Sequence, residues 1–162
     1  MTDIVLRELR RGDGASVQVV AREAWRHTYK EIFRADFIDQ FIATNYSPEA
    51  LENLVALIET GAMFFCVAVV QGSIVGFSNI WDRGQGMELL RIYVLPAYLG
   101  KGVGRKLLAV GEEFVRARGS NRYFCLVHQR NQRGLTFYLR NQFRHVESQD
   151  RGDEMYLEKL LA

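Results

Sequence analysis

From Glu88 to Leu108 the chain reads ELLRIYVLPAYLGKGVGRKLL. An extended apolar run, with Ile92 and Val94 on one side of the pleat, breaks at Pro96. Gly100, Gly102 and Gly104 then lead into an amphipathic helix. Strand, glycine-rich turn and helix start, in that order, form an anion site. The first helical N–H groups have no partner within the helix, and the peptide dipoles place partial positive charge there. Glycines let the backbone curl and let a bulky phosphate approach it. Lys101, Arg105 and Lys106 add cationic side chains.

The spacing excludes two common phosphate binders. A dinucleotide fingerprint needs a third glycine where Arg105 stands, and no run ending in the Gly-Lys-Ser/Thr of a P-loop occurs. Charge excludes a third class. The net charge is +2 and the basic residues are dispersed among acids, so no nucleic-acid partner is expected. No apolar run reaches membrane-spanning length and no signal-peptide core opens the chain, so the expected setting is cytoplasmic, with no membrane partner. Cys66 and Cys125 both lie in apolar runs and read as buried thiols. No carboxylate–histidine cluster suggests a metal, and His27 and His145 have no partner spacing.

At 162 residues the chain is expected to be one domain, 1–162. Ile4 to Leu9 reads as a strand and Ala15 to Tyr29 as a helix, with an apolar stripe through Val17, Val20, Ala21, Ala24 and Trp25. Phe37, Ile38, Phe41 and Ile42 form a second short helical face. Ser47-Pro48-Glu49 is a helix start: a serine cap, proline in the first turn, and an acid near the positive end. Met63 to Val70 reads as a strand covered on both faces, joined through Gln71-Gly72-Ser73 to a strand from Ile74 to Trp81. The strand from Met87 to Val94 and the helix after the glycines follow. Tyr123 to Val127 is a buried strand, Gln132 to Arg140 a helix, and Phe143 to Ser148 and Met155 to Leu160 two final strands. This order predicts an α/β fold, a mixed central sheet flanked by helices.

The run from Leu99 to Gly104 resembles the pyrophosphate loop of the GNAT superfamily of acyl-CoA N-acyltransferases, Gln/Arg-x-x-Gly-x-Gly/Ala, with Leu99 departing at the first position. The run NQRGLTFYLRNQF from Asn131 resembles that family's N-x-x-A-x-x-F-Y-x-x-x-G-F. Asn131, Phe137, Tyr138 and Phe143 match, while Gly134 and Gln142 replace the usual alanine and glycine. The resemblance covers nearly the whole chain. It implies the GNAT fold, with two parallel strands splayed apart, and acetyl-CoA as cosubstrate. The strand Ile92-Tyr93-Val94 would pair with the pantetheine arm as a neighbouring strand would, with Phe124 to Val127 as its splayed neighbour. Leu99, Gly100, Lys101, Gly102, Val103, Gly104 and Arg105 would hold the pyrophosphate. Asn131 has two readings, a bond to the arm or only the N-cap of the next helix.

Acetyl transfer to an amine needs a neutral nucleophile, although an alkylammonium has a pKa near ~10.4. It also needs a donor for the thioester oxygen and a proton for the departing sulfur. By resemblance, Tyr138 is the candidate for that proton, its alternative being a packing role. Glu88 is the candidate base, its alternative a solvated acid at the strand start. Simple alternation places it on one face with Leu90, Ile92 and Val94, and apolar neighbours suit a carboxylate to proton removal. The backbone N–H of Val94 would serve the oxyanion. His128, at the end of its strand, reads as a second base or a structural residue.

Ala21, Trp25, Tyr29 and Phe33, spaced by four, make one helix face aromatic. The first helices resemble those of polyamine acetyltransferase-like members. Trp25 and Tyr29, with carboxylates such as Glu31, Asp36 or Asp39, are therefore candidates to meet a cationic amine; the alternative is plain core. The acceptor stays open among a polyamine, another small amine and a peptide amine. The rival reading is a non-catalytic CoA-binding module, in which Leu99 and Gln142 mark decay. The apolar alternation of Met155 to Leu160 permits a homodimer through the terminal strands without requiring it.

Overall fold

The computed structural model describes residues 3–162. In chain order the elements are β1 (Val5–Glu8), α1 (Gly14–Tyr29), α2 (Ala35–Asn45), α3 (Pro48–Glu59), β2 (Met63–Val70), β3 (Ser73–Asp82), β4 (Met87–Val94), α4 (Val103–Ala117), β5 (Arg122–His128), α5 (Gln132–Arg140), β6 (Arg144–His145) and β7 (Glu154–Leu160). Seven strands form one sheet in the order β1-β2-β3-β4-β5-β7-β6. Every neighbouring pair is antiparallel except β4 and β5. The expected mixed sheet and order of elements are both present.

Local chemistry accounts for most boundaries. Ser47 caps α3, its hydroxyl accepting the Ala50 N–H at 3.0 Å, with Pro48 in the first turn. Between β2 and β3, Gln71 and Gly72 both have positive φ, the mirror-image turn that matches strand twist. β2 is covered on both sides, as its apolar run predicts. Phe65 and Val67 pack with α1, α2 and α3, while Cys66, Ala68 and Val70 pack towards α4. Burial pushes the Cys66 thiol up to about 11 and the Cys125 thiol higher still, so both stay protonated. No helix among the described residues is long and apolar enough to cross a membrane.

The expected strand from Phe143 to Ser148 is shorter than its sequence suggests. Only Arg144 and His145 pair with β7, and a 3-10 turn follows at Glu147–Gln149. Asp150 stabilises that turn, taking the Tyr156 N–H at 2.8 Å and His145 Nε2 at 2.8 Å.

A buried polar triad fastens the C-terminal strand. Glu112 lies on the sheet-facing side of α4, and its Oε2 accepts the Tyr123 hydroxyl at 2.6 Å and Lys159 Nζ at 2.9 Å. The contact ties α4 to β5 and β7, and no apolar stripe announces it. Glu112→Ala leaves Lys159 without its counter-charge and is expected to cost about 3 kcal/mol, read as a lower urea midpoint at unchanged slope. Gln142 follows α5 with φ of 74°, where a side chain is unfavourable. Gln142→Gly is therefore expected to raise the melting temperature by about 2–4 °C.

Candidate active site

β4 creates the site through two departures from regular pairing. Arg91 pairs with Asn79 but Leu89 pairs with Ile80, so Leu90 is the extra residue of a β-bulge. The bulge resets the alternation. Glu88, opposite Trp81, therefore lies on the α1 side of the sheet with Arg91 and Tyr93, not with Ile92 and Val94 as simple alternation gave. The second departure is the pairing with β5, which consists of the single rung Glu88 with Phe124. Beyond it the two strands diverge.

The divergence leaves backbone groups free. Leu95 N–H turns towards β3 and bonds the Val75 carbonyl at 2.8 Å. Sides alternate along a strand, so the backbone groups of Val94 and Ile92 point the other way, into the gap. Past a 3-10 turn at Pro96–Tyr98, Gly100 and Gly102 adopt φ of 75° and 86°, a conformation that favours glycine. Among the described residues no side chain caps α4, and its first intrahelical bond runs from Lys106 N–H to Gly102 at 3.1 Å. The N–H groups of Val103, Gly104 and Arg105 precede it and have no partner inside the helix. Gly104 serves close packing: a Cβ there would lie 3.0 Å from the Phe137 ring of α5.

Gap and helix start open into one cleft of about 720 Å³. Of the residues expected to hold a cofactor, Ile92, Tyr93, Val94, Leu99, Gly100, Gly102, Val103, Gly104, Arg105 and Asn131 line it. Lys101 does not; its ammonium lies 5.5 Å from the Tyr98 ring centroid. Asn131 is an N-cap, its Oδ1 accepting the Gly134 N–H at 2.9 Å. In this arrangement a Cβ at Gly134 would lie 2.6 Å from Asn131 Nδ2, so the glycine lets the amide sit close over the helix start.

Tyr138 lines the cleft and also packs edge-on against Phe137 and Phe143. Burial raises its pKa well above 10, helped by Cys125 and Tyr29, which keeps the hydroxyl protonated. Tyr29 lines the cleft as well, its hydroxyl 3.5 Å from that of Tyr93, and burial raises both pKa values.

Several expected residues lie elsewhere. Glu88 is outside the cleft wall, buried between Trp81 and Phe124 of the neighbouring strands, and its carboxylate pairs with Arg83 Nε at 3.1 Å. Trp25 is 8% exposed and outside the wall, stacked on Phe41 at 4.3 Å and tilted against Tyr29 at 4.4 Å. It supports Tyr29 from behind. Asp39 pairs with Arg26 and Asp36 with Arg34, so these carboxylates already have cations, while the carbonyl of Glu31 accepts from Arg130. His128 Nδ1 accepts the Arg130 N–H at 3.1 Å and its ring edges Phe33, and the residue is not part of the cleft wall.

Sequence reasoning missed His27, Thr28, Arg133 and Arg140, which also line the cleft. Burial lowers the His27 pKa, with Arg133 and Lys30 adding to the effect. A signal for Arg133 was present: it is a cation in the first turn of a helix.

The acetyltransferase (GNAT) family model matches residues 22–143. A spermidine N(1)-acetyltransferase of Thermoplasma acidophilum is 32% identical over 157 residues, 96% of each chain. The crystal structure of PaiA N-acetyltransferase from Thermoplasma acidophilum in complex with coenzyme A superposes with a TM-score of 0.93 at 30% identity. The match spans 98% of this chain and 99% of that one. A Salmonella typhimurium protein solved with its cofactor acetyl-CoA gives 0.76 at 17% identity over 99% and 95%, a likeness of fold alone. Gly104→Ala presses a methyl group onto Phe137 and is expected to cost about 1–3 kcal/mol. Thermal unfolding checks the stability, and calorimetric titration with coenzyme A is expected to show weakened binding.

Proposed function

The chain belongs to the acetyltransferase (GNAT) family and moves an acetyl group from acetyl-CoA to an amine, and we propose how its own residues do so. The observation that carries the reading is the single β4–β5 rung. It leaves the Ile92 and Val94 backbone unpaired in the same cleft as the open start of α4 and the Tyr138 hydroxyl.

Acetyl-CoA supplies the activated acyl group as a thioester and departs as a thiol. The loop Leu99 to Arg105 holds its diphosphate, chiefly through the N–H groups ahead of Lys106, while Lys101 acts only through its backbone. The backbones of Ile92 and Val94 align the pantetheine arm as a missing strand would be aligned, with Tyr93 between them held to β3. The cap uses the Oδ1 of Asn131, and its Nδ2 is shared between the Tyr29 hydroxyl and the arm. The Val94 N–H faces the position where carbonyl oxygen gains negative charge. Tyr138 keeps its proton at neutral pH and gives it to the sulfur as the bond to carbon breaks.

The ammonium proton leaves through water. Glu88 receives it at one remove, along the face of β4 that it shares with Tyr93. Holding amine and thioester together supplies much of the acceleration, and no residue need be acylated. The acceptor is a small primary amine, with a polyamine as the leading case, supported by the spermidine N(1)-acetyltransferase relative. Tyr29 and Tyr93 present ring faces and hydroxyls to it, and Trp25 keeps Tyr29 in place.

The non-catalytic alternative loses its grounds. Leu99 contributes backbone, and Gln142 holds the left-handed turn that the usual glycine would make. Thiol release on mixing acetyl-CoA with a panel of amines tests the function directly; its absence with every amine would overturn it. Tyr138→Phe is expected to lower kcat by about 100-fold or more while calorimetry still detects coenzyme A. The wild-type rate is expected to rise with pH as the amine loses its proton. Because the Tyr138 pKa is raised, no alkaline fall from that group is expected below about pH 10. Glu88→Gln is expected to slow the reaction at neutral pH and to recover at alkaline pH, where the free amine is already neutral.

A further inference from the structure

Three arginines line the cleft without a carboxylate partner: Arg105 on α4, and Arg133 and Arg140 on α5. Among the described residues none of them lies within 4.0 Å of an acid, whereas Arg7, Arg26, Arg83, Arg118 and Arg144 are all paired. Two of the three stand where a helix disfavours them. The first turn of a helix prefers acids, and α2 and α3 comply with Asp36 and Glu49. The first turns of α4 and α5 contain no acid and carry Arg105 and Arg133 instead. Both helix starts thus add a cation to an existing positive pole. This costs stability in the free protein and is offset when an anion arrives.

Placement links the three. Arg133 and Arg140 are seven residues apart, two turns along one face of α5, or roughly 10 Å of cleft wall. Phe137 lies between them and touches Gly104, so the start of α4 abuts the middle of that wall. The positive field reaches the neighbouring helix, where Arg133 and Lys30 reinforce the effect of burial in keeping His27 neutral.

This is more positive charge than a diphosphate needs. The loop N–H groups and the α4 dipole already serve that group. Coenzyme A carries one further phosphate, a monoester on the ribose 3′ oxygen, with a charge of about −2 at neutral pH. We propose that Arg133 and Arg140, with Arg105, form a second phosphate subsite that reads this 3′-phosphomonoester and so selects coenzyme A over its dephosphorylated form. The proposal rests on the acetyl-CoA reading above and adds a selectivity to it. Planar guanidiniums suit the task, since they pair with phosphate through two parallel N–H donors.

Calorimetric titration with coenzyme A and with dephospho-coenzyme A tests it, on the wild type, Arg133→Gln, Arg140→Gln and the double variant. Both side chains are exposed, so the variants are expected to fold, with matching circular dichroism as the control. The wild type is expected to bind coenzyme A about tenfold or more tightly than the dephospho form, the size of one charge-assisted contact. The double variant is expected to bind both ligands equally, near the wild-type affinity for the dephospho form, with a weaker dependence on salt. Equal affinity of the wild type for the two ligands overturns the subsite while leaving the cofactor assignment intact. A preference that survives in the double variant overturns it too. Failure of the wild type to bind either ligand overturns the cofactor reading itself.

Discussion

The backbone hydrogen bonds that β4 and β5 do not make are what the rest of the molecule is built around. Buried N–H and C=O groups are costly without partners, so adjacent strands normally close along their length. Here closure stops after Glu88 and Phe124. Everything nearby keeps the gap open and usable. α4 and α5 wedge against each other through Gly104 and Phe137 on one side. Aromatic side chains of α1 and α2 stack behind Tyr29 and Tyr93 on the other. A ligand able to present amides along a strand supplies what β5 withholds, and the start of α4 lies where an anionic tail would end.

The bulge at Leu90 divides labour within one strand. Before it, Glu88 faces α1 and Leu89 packs with Ile80 towards α4. After it, Tyr93 lies with Phe77 on the α1 side, and Ile92 and Val94 lie opposite. One extra residue therefore brings Glu88 and Tyr93 to a common face that regular pleating would deny them. The same residue separates the half of β4 that holds a charged pair from the half whose backbone meets the cleft.

Much of this was legible in the residues. The order of elements, the bounds of α5, the serine–proline start of α3 and the two-sided burial of β2 all follow from local chemistry and periodicity. What escaped depends on contacts distant in sequence. Nothing in ELLRIYV marks a bulge, because neither glycine nor proline stands there, so alternation placed Glu88 on the wrong face. The carboxylates Asp36 and Asp39 look free in sequence, and only folding reveals Arg34 and Arg26 beside them. Trp25 obeys its helical stripe yet ends behind the wall, since Phe41 of the next helix occupies its face. Glu112 interrupts an apolar stripe for a partner 47 positions away. Arg133 was visible as a cation at the wrong end of a helix, a pattern that charge totals conceal.

A sheet joined at one rung depends on side chains where its backbone does not close. β1 to β4 make one leaf, and β5, β7 and β6 the other, and between them side chains such as Ile80, Leu89 and Cys125 interlock where backbone pairing is absent. Side-chain packing tolerates small sliding better than a hydrogen-bonded ladder does. The seam at Glu88 is therefore the least backbone-tied junction of the sheet, closed by the side-chain core beneath it. A strand-like ligand in the gap would touch both leaves, so its binding would brace the sheet at the seam where its own backbone does not.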